Sequence, residues 1–210
     1  LTVRLGFLDD VSPRLESGVH SLTDEGHVEV AAIPLDLSRA VEPDASTMTA
    51  IDAVRRAVPQ VRIGVSRPIG PASMLLNALD ERLRAALRST HTNELDGLVL
   101  SLPRSGDVRG NALVSRRARQ WSSHHKLPVV VAVADGSGPN VSSALATLRA
   151  QGRRHIAIGS FFLAESEAYL SQATLGQQGG AVAISAPIGP DPRMLELALA
   201  RYSYCLLYTS

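Results

Sequence analysis

Aromatic residues make up only 4% of this 210-residue chain, too few to build ring platforms on which bases stack. A single cysteine, Cys205, excludes an internal disulfide framework and any cysteine-rich metal site, and it points to a cytoplasmic protein. Neither sign of charge is in excess. Twenty-one Lys and Arg stand against 20 Asp and Glu, so no net field recruits nucleic acid or an anionic membrane. No apolar run reaches the roughly 18 residues that suggest a transmembrane helix, and no charged, apolar and small-residue signal pattern opens the sequence. Known phosphate-binding and nucleophile signatures are mostly absent too. There is no Walker A sequence, Gly136-Ser137-Gly138 lacks the third glycine and the downstream acid of a dinucleotide fingerprint, and no Gly-x-Ser-x-Gly elbow occurs.

What is present is an ordinary apolar fraction, 45%, and an internal repeat. Val61 to Leu83, VRIGVSRPIGPASMLLNALDERL, returns as Ala181 to Tyr202, AVAISAPIGPDPRMLELALARY. Pro68, Gly70 and Pro71 match Pro187, Gly189 and Pro190 at a constant spacing of 119 residues (187 − 68). Each copy reads as a β-branched run, a Pro-Ile-Gly-Pro turn and an amphipathic helix. Val3 to Ala40 also aligns without a gap on Val129 to Ser166, at a spacing of 126 (129 − 3). The seven extra residues of the first half, 126 − 119, belong in a loop.

Strand and helix patterns alternate along the chain. VRLGFL reads as a buried strand, followed by a helix with Ser12 at its N-cap and Pro13 at its first position, closed by Gly26. HVEVAAIPL, VRIGV, GLVLSL, VVVAV, IAIGSFFL and AVAIS are the further strands. Helices follow through AIDAVRRAV, LLNALDERLRAAL, Ala112 to His124, SSALATLRAQ and the segment after Pro190, while the stretch before Gly180 reads as loop-rich. Such alternation predicts an α/β fold of two similar halves, each a small parallel sheet flanked by helices. The halves are residues 1–88 and 96–204, joined by a polar linker at 89–95. The last six residues, CLLYTS, continue no periodic pattern and read as non-native sequence or a frayed end. The second half spends Gly97 to Pro128 on a strand and helix with no counterpart in the first, so the first half is expected to lack an N-terminal strand and helix.

Open parallel sheets bind ligands at the carboxyl ends of their strands, which directs attention to Asp9 and Asp10, Leu35 to Glu42, Arg67 to Pro71 and their second-half equivalents. His124 and His125 read as a solvated helix end, complementing the helix dipole, and Arg116, Arg117 and Arg119 as a solvated helix face.

FLDDVSPRL, a strand ending IPLDLSRA, and RPIGP before a helix together resemble the sirohydrochlorin chelatase family, the class II metal chelatases of the CbiX and SirB type, in their long two-half, actinobacterial-like form. The resemblance spans Val3 to Tyr204, and the doubled order of blocks carries it. It implies two chelatase-like halves facing across a cleft. It also implies insertion of Co²⁺ or Fe²⁺, the substrate metal, into sirohydrochlorin in cobalamin or sirohaem synthesis, with no organic cofactor, no nucleic-acid partner and no membrane partner. One family histidine lies in a His-Gly-Ser turn after the strand missing here. The matching second-half turn is Pro103-Arg104-Ser105, with proline in the histidine's place. The place of a second family histidine falls at Glu42, and the family's acidic residue after Phe-Leu matches Asp9. The resemblance thus implies Asp9 and Glu42 as proton acceptors and metal ligands, with Ser38, Arg39 and Arg67 meeting the substrate's carboxylates.

Other roles remain open for these residues: helix capping for Asp9, solvated loop charge for Glu42, surface charge for the two arginines. A non-catalytic relative that binds a tetrapyrrole or metal, and a two-half sensor of small ligands, are the alternative functions.

Overall fold

The computed structural model describes residues 1–8 and 12–207. They form an α/β protein whose elements fall into two compact units, described separately. The first contains residues 1–36, 42–69 and the chain from Leu197 onward. The second contains residues 37–41 and 70–196.

The second unit is built on four parallel strands, β3 (Gly97–Leu102), β4 (Val129–Val133), β5 (Ile156–Ser160) and β6 (Ala183–Ile184), in the order β4-β3-β5-β6. All six residues of the central strand β3 are buried, as expected of a strand covered on both faces. On one face Val99, Ala132, Ile156 and Ile158 pack against Val141, Ala144, Leu145 and Leu148 of α5 (Val141–Ala150). The other face carries α3 (Leu75–Ser89), against β5 and β6, and α4 (Val108–His125), against β4. Trp121 of α4 and Leu79 of α3 meet over Gly159, where an added Cβ would lie 2.5 Å from the indole and 3.2 Å from Leu79 Cδ2.

The first unit has two parallel strands, β1 (Glu29–Ala32) and β2 (Arg62–Val65), with α1 (Leu15–Asp24) and α2 (Ala45–Ala57). Val19, Ile51, Val54, Val58, Val61 and Ile63 form its core. Asp44 caps α2 by accepting the Thr47 N–H at 2.7 Å. The repeat read from the sequence is present in the elements: α1 and α5 correspond residue for residue at the 126 spacing (141 − 15). β1 pairs with β2 at a separation of 33 (62 − 29), and β5 with β6 at 26 (183 − 157), so the seven-residue difference sits between paired strands.

Four local expectations are corrected. VRLGFL is not a strand: its ladder contacts are Phe7 N–H to the Pro13 carbonyl and Leu15 N–H to the Phe7 carbonyl, while Leu1, Val3 and Leu5 are more than half exposed. The same two bonds hold Arg14 extended, so α1 starts at Leu15 with Arg14, not Ser12, at its N-cap. The loop-rich stretch before Gly180 contains a helix, α6 (Glu167–Gln178). Its buried face is Gln172 and Gly176 rather than leucines, because a Cβ at Gly176 would sit 2.5 Å from Ile158 Cδ1, and that contact erases the apolar period. Helix α4 begins at Val108, four residues before the expected Ala112, because Asp107 caps it by accepting the Gly110 N–H at 2.6 Å. The last helix, α7 (Pro192–Leu207), continues through Cys205, beyond the periodic pattern of the sequence. Among the described residues, no helix is long and apolar enough to cross a membrane.

Gly159→Ala is expected to lower stability by about 1–3 kcal/mol through overpacking against Trp121, seen as a lower urea midpoint at unchanged slope. An unshifted midpoint would mean that the indole can retreat at no cost.

Candidate functional site

In the second unit the segment 37–41, which follows β1 in sequence, is held against the start of α4. Ser38 is fully buried, and its carbonyl oxygen lies where side chains at Gly106 and Gly110 would be: an added Cβ would come within 1.9 Å and 2.1 Å of it. Gly70 of the Pro-Ile-Gly-Pro turn, at φ +75°, approaches the Arg39 carbonyl, which a Cβ would meet at 3.1 Å. Asp107 completes the clamp. One carboxylate oxygen caps Gly110, and the other accepts the N–H groups of Ala40 (3.1 Å) and Val41 (3.0 Å). Partial burial raises the Asp107 pKa. The backbone donors and the Arg39 charge outweigh it, leaving the group below the ordinary aspartate range. Sequence reasoning placed Ser38 and Arg39 at this strand end but missed Asp107 as their anchor, which the pattern Gly-Asp-x-x-Gly marks only in hindsight.

At the ends of β3 and β4, Asp135 accepts the N–H groups of Ser105 (2.9 Å) and Ser137 (3.0 Å), and the Ser137 hydroxyl reaches the Ser105 hydroxyl at 2.7 Å. Burial raises the Asp135 pKa, and its serine donors bring the net shift downward. Behind β5 and β6, the Ser185 hydroxyl accepts the Ser160 N–H at 2.8 Å. These strand ends are closed by internal hydrogen bonds.

In the first unit Arg67 follows Ser66, whose hydroxyl is turned to the Arg67 carbonyl at 2.9 Å. Arg201 of α7 donates to the Pro68 carbonyl at 3.0 Å and the Ile69 carbonyl at 3.1 Å. Burial lowers the Arg201 pKa and the nearby Arg67 cation lowers it further, so two guanidinium groups share this strand end. The second unit repeats the arrangement: Arg82 of α3 donates to the Ile188 carbonyl at 3.2 and 3.0 Å. Arg82 and Arg201 stand 119 residues apart (201 − 82), as do Ile69 and Ile188, so the repeat spacing could have found both arginines, yet they were missed.

Glu42 is exposed, two residues before the α2 cap Asp44. Asp9 lies outside the described residues. Two readings of surface groups are corrected. Arg117 is not simply solvated, since it donates to the Pro71 carbonyl at 2.8 Å and burial lowers its pKa. His125 does not stand in solvent, because its Nε2 lies 2.8 Å from Oδ1 of the buried Asp80.

The CbiX family model matches residues 1–86 and 105–204. Among solved structures, SirB from Bacillus subtilis with Fe³⁺ superposes at a TM-score of 0.70 with 20% identity, covering 96% of this chain and 81% of the other. The sirohydrochlorin chelatase SirB from Bacillus subtilis subspecies spizizenii in complex with cobalt superposes at 0.68 with 20% identity, covering 95% and 79%. At that identity the likeness is one of fold. No curated protein sequence matches the chain. Matched by that family's model in both halves and over most of its length, the chain belongs to the CbiX family.

Proposed function

We propose that this chain inserts a divalent metal ion, Co²⁺ or Fe²⁺, into an acidic tetrapyrrole of the sirohydrochlorin kind, as a cytoplasmic step of cobalamin or sirohaem synthesis. The observation that carries this reading is the match of the CbiX model to both halves of the chain. The fold shared with structures named for a sirohydrochlorin chelatase, and bearing Fe³⁺ or cobalt, supports the metal part. The reaction takes in M²⁺ and releases two pyrrole protons, so it needs proton acceptors and exchangeable metal ligands but no organic cofactor. Asp9 and Glu42 supply carboxylates for both tasks. Arg39 and Arg67 supply cations for the substrate's carboxylates, with Ser38 as the neighbouring polar group, and Arg201 adds to the positive field around Arg67.

One observation favours a second reading, binding without insertion. Among the described residues no histidine follows a strand's carboxyl end. His20 sits on α1 beside Glu16, His27 and His91 lie in turns, His155 precedes β5, and His124 and His125 end α4. A carboxylate is a weaker base and a harder ligand than imidazole. Optical titration with sirohydrochlorin, with and without Co²⁺, separates the readings. A Co²⁺-dependent change in the bound spectrum supports insertion, a spectral change on binding alone supports the second reading, and no change discards both.

Glu42→Ala is expected to lower the insertion rate about 10²-fold, the low end of general-base effects, while sirohydrochlorin still binds. Arg67→Ala should instead weaken substrate binding, raising KM more than it lowers kcat. Equal losses in both variants would remove this division of roles.

The Asp107 clamp gives a pH signature. Its pKa is lower folded than unfolded, so its contribution is complete above the unfolded value of about 3.9 and fades as pH falls through the folded one. Asp107→Asn, which turns an amide donor toward Ala40 or Val41, is expected to cost about 1–2 kcal/mol near neutral pH in urea unfolding. The gap to the parent should narrow below pH 4; a gap independent of pH would show that charge plays no part.

A further inference from the structure

A cluster apart from the strand ends has metal-binding character. Asp80, on the buried side of α3 among Ala78, Leu79 and Leu83, is only 7% exposed. Its partners come from the last turn of α4. Oδ1 accepts the Trp121 indole N–H at 2.6 Å and faces His125 Nε2 at 2.8 Å, while Oδ2 is turned to His124 Nε2 at 3.8 Å, beyond hydrogen-bond reach. Both close contacts fall on Oδ1, so the lone pairs of Oδ2 are left to face a cation together with the two imidazoles. Because α4 links two parallel strands it runs against them, so its last turn lies at the end where β4 begins, opposite the strand carboxyl ends.

We infer that Asp80, His124 and His125 form a second divalent-cation site, independent of the strand-end chemistry proposed above. The donor atoms of the three groups all lie within 4.8 Å of one another. Ligands at about 2.0–2.2 Å from one ion stand roughly 3–4.4 Å apart, so a small rotation of His124, whose side chain is 63% exposed, closes the set. Two imidazoles and one carboxylate select a first-row ion such as Co²⁺, Ni²⁺ or Zn²⁺ over Mg²⁺ or Ca²⁺, which prefer all-oxygen shells. On binding, Nε2 of each histidine gives its lone pair to the ion. The proton that His125 shares with Asp80 then moves to Nδ1 or to solvent. The Trp121 N–H stays on Oδ1 and orients the carboxylate from outside the coordination shell.

Trp121 is the only tryptophan in the chain, so its fluorescence reports on this cluster alone. Titration of the full chain with Co²⁺, a paramagnetic quencher, is expected to give a saturable loss of emission that the same concentration of Mg²⁺ does not produce. His124→Ala, at an exposed side chain, should shift the Co²⁺ midpoint upward by at least about tenfold. Glu42→Gln should leave it within twofold, which separates this site from the strand-end carboxylates. No saturable quench, equal midpoints in the parent and His124→Ala, or loss of the quench in Glu42→Gln would each overturn the assignment.

Discussion

A turn rich in proline has carbonyl oxygens to satisfy and few N–H groups of its own to offer, and both Pro-Ile-Gly-Pro turns sit where strands give way to helices. The structure meets this demand with arginine. Arg201 takes the Pro68 and Ile69 carbonyls, Arg117 takes that of Pro71, and Arg82 takes that of Ile188. A guanidinium reaches two acceptors at once in fixed geometry, which a lysine does not. Each bond joins residues far apart in sequence, so each turn is tied down by a helix that is not its sequence neighbour.

The same turns explain why Ser38 and Arg39 are held so firmly. Gly70 presses on the Arg39 carbonyl because the turn puts it at a positive φ, and Gly106 and Gly110 leave room for the Ser38 carbonyl because they carry no side chain. Asp107 then ties Ala40 and Val41. Glycines and one carboxylate therefore set the backbone position of the segment that carries Ser38 and Arg39.

Much of this was legible in the sequence. Continuous apolar runs found β3, β4 and β5, because a strand covered on both faces needs no polar alternation. The repeat read at a spacing of 126 is kept in the structure, where α1 and α5 correspond. What escaped was contact-dependent. Helix α6 buries glycine and glutamine and so has no apolar stripe to read, and VRLGFL has a strand's composition without a neighbouring strand to pair with. Ser38 and Arg39 after β1, and Arg67 after β2, stand past the strand ends where topology put them. The roles of Asp107, Arg82 and Arg201 depend on carbonyls that no side-chain pattern reveals. Nothing in the helical run LLNALDERLRAAL marks Asp80 as the partner of Trp121 and His125, which lie more than forty residues away.

Neither unit is encoded by a contiguous half of the chain. Helix α3 belongs to the unit of the second sheet, and the chain from Leu197 onward belongs to that of the first. On a ribosome that releases the N-terminus first, the unit that starts first is therefore finished last. Its Pro68 and Ile69 carbonyls must wait for Arg201, while the second unit already holds α3 when its own strands emerge. Vectorial synthesis thus delivers the two related units in the reverse of their genetic order, and a chain stopped at Glu196 would hold every residue of the second unit but not of the first.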